Sequence, residues 1–312
     1  MPGSTSLLAE PLGPSLGIQA QLPILLAEYP FRTQQDIADY LHLLQDLPRY
    51  FSDLIALEQE KSRQGVFQND LAVDGIIRQC SAFLADADTP ESHLLHTVFQ
   101  NKLQASSLFS EAERNLCLQT HEKLLTSCVF PAYRSLSDAL SSLRGKGTQN
   151  AGGLSRQEGG LSYYAYLLRS RVGVDVSPEE LTRLLTQQLA DQCAEMQIIL
   201  DQNPSLSLSE QALVLPFSTP EEMLADLQNA VSEDFPVLSG IAYEVKTVDD
   251  SLKDFLSPAF YLTPPADVNS PNSIYLNPAD EMTGIELYST LAHEAFPAIC
   301  TRPSRSRAPT RF

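Results

Sequence analysis

The chain has 312 residues, 43% of them hydrophobic, with 39 Asp and Glu against 21 Lys and Arg, a formal net charge of −18. That is enough apolar material for one large or two modest domains, and it excludes a largely disordered chain. The acidic balance excludes a nucleic-acid role, because a phosphate backbone is held by clustered Lys and Arg. Four Arg and no acid fall in the last fifteen residues, Ala298–Phe312, leaving 17 basic against 39 acidic side chains in residues 1–297. No apolar run reaches the roughly 18–20 residues that span a bilayer. No basic-then-apolar leader opens the chain, which as it stands reads as cytoplasmic. Five cysteines, at 80, 117, 128, 193 and 300, are odd in number and scattered. They read as buried reduced thiols rather than a disulfide framework or a zinc ribbon.

Most of the first 235 residues have helical periodicity. Ile37, Tyr40, Leu41, Leu44 and Leu47 form one apolar face after Thr33, with Pro48 predicted to end that helix. A second helix is expected across Phe51, Leu54, Ile55 and Leu57, stopping near Gly65, and further ones over 70–84 and 91–103. Ser110 and Glu113 form a capping box that opens a long helical pattern to Leu143, with a kink expected at Pro131. Residues 145–160 hold six of the fourteen glycines and mark the clearest internal boundary. They follow no predicted strand and match neither phosphate-loop spacing, so they read as a flexible connection or the rim of an active site. A Tyr-rich helix follows over 161–171. Ser177-Pro178-Glu179-Glu180 and Thr219-Pro220-Glu221-Glu222 then cap two more. The acidic stretch Leu184–Val245, with ten Asp or Glu and no Lys or Arg, reads as a solvated face.

After Phe235 the pattern changes. Residues 241–245 alternate with period two, and 259–262 and 273–277 are short, aromatic or β-branched and bounded by Pro and Asn, as strands are. Thr283-Gly284-Ile285-Glu286 then caps a helix over 287–296. The expected fold class is mainly α with a small β-sheet. The expected organisation is an N-terminal helical region 1–144, the Gly-rich segment 145–160, a helical region with the small sheet over 161–297, and a tail 298–312.

That last helix carries His293-Glu294. Such a pair on a helix behind a sheet opens the metal site of many zinc peptidases, the imidazole ligating and the carboxylate deprotonating the metal-bound water. The usual second His, four residues on, is here Pro297. His121-Glu122 is another such pair, with Leu125 in the corresponding place, and His93 and His96 stand three apart on one helical face with no third ligand to complete them. Cys300 near His293 falls in the basic tail and is discounted as a thiol nucleophile. Tyr261, Tyr275 and Asn277 lie on the strand-like segments just before the His-Glu helix. They either bind extended substrate backbone or cover the sheet.

From Ser257 to Pro297 the sequence SPAFYLTPPADVNSPNSIYLNPADEMTGIELYSTLAHEAFP resembles the bacterial family called domain of unknown function 885. In that family an aromatic-Pro segment and a short strand precede a helix ending in HExxPGH. The resemblance extends upstream through LGIQAQLPILLAEYPFRTQQDIADYLHLLQDLPRYF, Phe130-Pro131-Ala132-Tyr133 and GGLSYYAYLLRSRVGVDVSPEEL, covering about Leu12 to Pro297. It implies a helical zinc-dependent hydrolase acting on peptides, with His293 as a metal ligand and Glu294 as general base. It also implies that intact members carry more chain, some of them exported or lipid-anchored.

The sequence departs from that pattern after Pro297, where Ala298 and Ile299 stand in place of Gly-His. A continuation Gly-His-Leu-Tyr-Gln-Thr encoded GGC CAT CTG TAC CAG ACC, read with one G deleted, becomes Ala-Ile-Cys-Thr-Arg-Pro, the residues Ala298–Pro303. The tail is therefore expected to be out-of-frame sequence, and the chain an incomplete zinc-peptidase-like fold without activity. The competing expectation is a non-enzymatic helical interaction module in which the His-Glu pair is incidental.

Overall fold

Thr33 begins the largest helix because its side chain accepts from the Asp36 amide while Asp36 accepts from the Thr33 amide, a complete capping box. In the computed structural model, which describes residues 6–15, 17–147, 153–204, 215–217, 219–234, 243–248, 258–262, 271–277 and 284–295, this helix runs Gln34–Arg63. We call it α2, after α1 (Ile18–Glu28). It continues through Pro48, where the sequence predicts a break. The physical reason is phase: Ile37, Tyr40, Leu44, Leu47, Phe51 and Leu54 form one unbroken buried face on both sides of the proline. Burying them together outweighs the lost hydrogen bond.

The remaining helices of the first part are α3 (Asp70–Phe83), α4 (Leu94–Ala105), α5 (Glu111–Leu124), α6 (Phe130–Leu143), α7 (Gly160–Leu167) and α8 (Pro178–Gln202). Between α5 and α6, Leu125–Val129 forms a π-helical turn, so the expected disturbance at Pro131 appears as a widened turn just before it. The predicted caps at Ser110 and Ser177 form. Helix α6 packs against α2 and α3. Their shared core includes Tyr40, Phe51, Ile76, Phe99, Phe130 and Tyr133, all nearly or fully inaccessible. Polar groups staple the start of the chain to it. Gln19 donates to the Gly13 carbonyl, Gln79 to that of Pro14, and the Tyr133 hydroxyl to that of Gln19. By contrast, no residue of α8 is buried.

The chain divides into two compact units, 1–206 and 207–312. The Gly-rich segment lies inside the first. The second unit holds α9 (Pro220–Asp234), three strands and α10 (Gly284–Glu294). The strands β1 (Tyr243–Thr247), β2 (Ala259–Leu262) and β3 (Asn272–Leu276) form one sheet in the order β1-β3-β2. β1 runs parallel to β3 and β2 antiparallel to it. Met223, Leu224 and Leu227 of α9 and Leu291 and Ala295 at α10 close over Ile274 of the central strand. The fold is mainly helical with a small sheet, as the periodicities predict. Among the described residues no helix is long and apolar enough to cross a membrane.

Candidate functional site

Residue pairing sets the geometry at the sheet. Tyr261 lies opposite Ile274, and Phe260 opposite Tyr275, so these two pairs occupy opposite faces. Ile274 belongs to the buried face covered by α9 and α10, and Tyr261 packs against the same cluster. The Tyr261 hydroxyl donates to Asn272 Oδ1 at 2.7 Å, fixing the ring along the sheet. On the other face Tyr275 stacks on Phe260, ring centroids 4.9 Å apart, with the Lys246 ammonium 5.9 Å from the Tyr275 ring. Tyr275 and Asn277 are both buried, and the Asn277 amide donates to the Pro258 carbonyl.

Helix α10 delivers its last residue to this sheet. Leu291 and Ala295, four apart, anchor it on the sheet side. Tyr288, one turn before, donates its hydroxyl to Asp226 of α9 at 2.7 Å and stacks on Phe217. Burial and the Asp226 carboxylate together push the Tyr288 phenol up. With the helix so fixed, Glu294 Oε2 accepts the backbone N–H of Tyr261 at 3.1 Å. Its other oxygen lies 4.0 Å from His293 Nε2. The two neighbours differ sharply in setting, the His293 side chain being 79% exposed and that of Glu294 21%. The structure thus brings Glu294, His293 and the Tyr261 backbone together, and sets the Tyr275 ring on the far face. Sequence reasoning did not single out Tyr288, Asp226 or Asn272. Spacing alone marks Tyr288, one turn before Leu291, but the hydrogen bonds depend on contacts far apart in sequence.

Three other histidines, His93, His96 and His121, serve the helical core. His93 caps α4, its Nδ1 accepting from Leu95 N while Nε2 meets the Phe83 carbonyl at 3.0 Å. His121 lies parallel to Phe99 at 4.2 Å and shares a 3.2 Å hydrogen bond with the Tyr40 hydroxyl. Burial pushes this imidazole down to about 3. His96 packs on the same ring. Among the described residues no group of three or more His, Cys, Asp or Glu gathers that could hold a metal ion. A zinc centre takes three protein ligands or more, so His293 and Glu294 do not by themselves make one. Residues 296–312, including Pro297, Cys300 and the Arg-containing tail, lie outside the described residues.

The sequence matches, over residues 6–297, the family described as bacterial protein of unknown function (DUF885). The chain belongs to the DUF885 family. Among solved structures, this DUF885 chain is similar to a crystal structure from Colwellia psychrerythraea described as a candidate lipoprotein, with a TM-score of 0.74 and 19% identity. The match covers 92% of this chain and 52% of that one, so the present DUF885 sequence spans about half of that protein. At this identity the likeness establishes the shared fold. No curated protein matches the sequence significantly.

Proposed function

We propose that the chain is part of a zinc-dependent peptide hydrolase in which His293 is one metal ligand and Glu294 the general base, the remaining ligands lying beyond the residues described here. The observation that carries this reading is the hydrogen bond from the Tyr261 amide to Glu294. It fixes one carboxylate oxygen on an outer strand and leaves the other, on the His293 side, to accept a proton from an attacking water. In the intact enzyme zinc would acidify that water. An extended peptide would pair along β2, the outer strand bearing Tyr261. Tyr275 and Asn277, both buried, would shape the sheet from within rather than touch the peptide.

The 312-residue chain itself, with one imidazole at the site among the described residues, is expected to hydrolyse no peptide. The deciding experiment uses a full-length protein in which Pro297 is followed by the Gly-His continuation of the family. Zinc should be present stoichiometrically and lost with His293→Ala. Glu294→Ala should retain zinc while turnover drops by about 10²–10⁴-fold, the usual range for a general base. A restored protein without zinc would instead favour a helical interaction module. Chelator-sensitive turnover by the 312-residue chain would overturn the view that its site is incomplete.

A further inference from the structure

The first unit contains a cavity of about 630 Å³, within the range of small-molecule sites. Its walls come from the segment before α1 and from the end of the Gly-rich segment with α7 behind it. Leu8, Pro11, Val66, Leu154 and Leu167 supply an apolar lining, whereas Tyr163, Tyr166 and Arg171 supply donors. The Gly-rich segment is built for this wall. A Cβ on Gly160 would sit 1.7 Å from the Leu154 carbonyl oxygen, so only glycine lets the 153–160 turn fold back onto the start of α7.

The charges around the cavity are unequal. Glu10 is on one wall, but the buried Lys61 ammonium lies 3.0 Å from its carboxylate and also donates to the Ala9 carbonyl. Lys61 thus both neutralises Glu10 and pins that wall. Arg171 on the opposite wall has no hydrogen bond or ion pair among the described residues, whereas Arg169 nearby meets Asp175 at 3.4 Å. The hydroxyls of Tyr163 and Tyr166, whose rings stack 6.1 Å apart, likewise have no hydrogen-bond partner among the described residues. Burial, with the neighbouring Tyr166, raises the Tyr163 phenol. Gln68, in the same lining, has a buried side-chain nitrogen without a hydrogen-bond partner. Of these donors Gln68 Nε2 is the buried one, costly unless an acceptor in the cavity meets it, whereas Arg171 and Tyr166 reach solvent at the cavity mouth.

We propose that this cavity binds a small organic monocarboxylate with an apolar or aromatic body, its carboxylate on Arg171 with the Tyr163 and Tyr166 hydroxyls and its body between the Leu8 and Leu154 walls. One uncompensated guanidinium matches one carboxylate, for which its planar fork is well shaped. A dianion such as a phosphomonoester would leave one charge uncompensated by the single guanidinium. The carboxylate belongs either to a free small molecule or to the C-terminus of a peptide. The cavity belongs to the first unit and the His-Glu helix to the second, and the test reads binding rather than hydrolysis.

Calorimetric titration of the 312-residue protein with N-acetyl-L-phenylalanine, its amide, and a hexapeptide ending in Phe as the free acid distinguishes the outcomes. The acid should bind saturably at one site and the amide about ten-fold or more weaker. Binding of the hexapeptide comparable with that of the acid would identify the ligand as a peptide terminus. Its failure beside binding of the acid would identify a free molecule. Arg171→Gln should abolish the preference for acid over amide, and Tyr163→Phe should weaken the acid while keeping the ring. Both variants should keep the wild-type circular dichroism and melting temperature, because Arg171 is exposed and the Tyr163 ring is retained. Equal affinity for acid and amide, an unchanged preference in Arg171→Gln, or no saturable binding to well-folded protein would overturn the proposal.

Discussion

Two buried titratable residues of the helical unit oppose each other in their response to pH. His121, stacked on Phe99 and pushed down to about 3, stays neutral in the folded chain while its unfolded counterpart takes a proton near 6.5. The stability this contributes is therefore complete above pH 6.5 and is lost as pH falls toward 3. By pH 5 the loss is about 2 kcal/mol. Glu58 behaves in the reverse sense. Burial pushes its carboxyl up to about 7, against the pull of Lys61 at 3.6 Å. Its contribution is complete below 4.5 and lost as pH rises through 7, by a similar few kcal/mol. Between pH 5 and 6.5 the two slopes nearly cancel. Glu58→Gln removes one of them. Urea denaturation over that interval should therefore be nearly flat for the wild type, whereas the variant should lose about 2 kcal/mol from pH 6.5 to 5. A parallel profile for both proteins would show that Glu58 does not titrate in this range. The same residues show why spacing alone misleads about chemistry. His93, His96 and His121-Glu122 have ligand-like intervals, yet their rings are buried among Phe83, Phe99 and Phe130, where aromatic contacts explain them.

At the scale of elements, local chemistry that closes within four residues was legible in the sequence. The caps at Ser110, Ser177 and Thr219 form as written because each needs only its own first turn. The three short strands and the His-Glu helix were likewise visible from composition and period. Pro48 was not, because whether a helix survives a proline depends on what its two flanks bury, and that is settled by α5, α6 and the π-helical turn between them. Nor was the division of Tyr261 and Tyr275 between two faces, which follows from the register of β2 on β3. The link from Glu294 to the Tyr261 amide spans 33 residues and depends on that register. Pro48 offers a direct test of this account. It is exposed, so Pro48→Ala forfeits little packing and restores an amide donor within α2. Stability should rise by about 1–3 kcal/mol, less the few tenths that proline gains by restraining the unfolded chain. Thermal unfolding monitored by circular dichroism at 222 nm would check it. A destabilised variant would mean that the proline is itself required by the packing of α2 on α6.

For the whole molecule, the decisive feature is that each compact unit has a hydrophobic core built from its own residues. Tyr40, Phe51, Phe99 and Tyr133 belong to the first, and Leu224, Leu227, Ile274 and Leu291 to the second. Cooperative unfolding follows shared burial, and segments that bury surface only among themselves open as separate units. The second unit is also the one that carries the His-Glu helix, so its local stability governs the geometry at Glu294. Leu291 is fully inaccessible beneath the sheet and three residues before Glu294. Leu291→Ala should cost about 2–5 kcal/mol in that unit, through lost burial and the cavity left against Ile274. Hydrogen exchange read by mass spectrometry should then show amides of α9, α10 and β3 losing protection by the corresponding factor, with those of α2, α3 and α6 unchanged. Loss of protection in α2 and α6 to the same degree would mean that the two cores unfold as one, and that the His-Glu helix draws its rigidity from the entire chain.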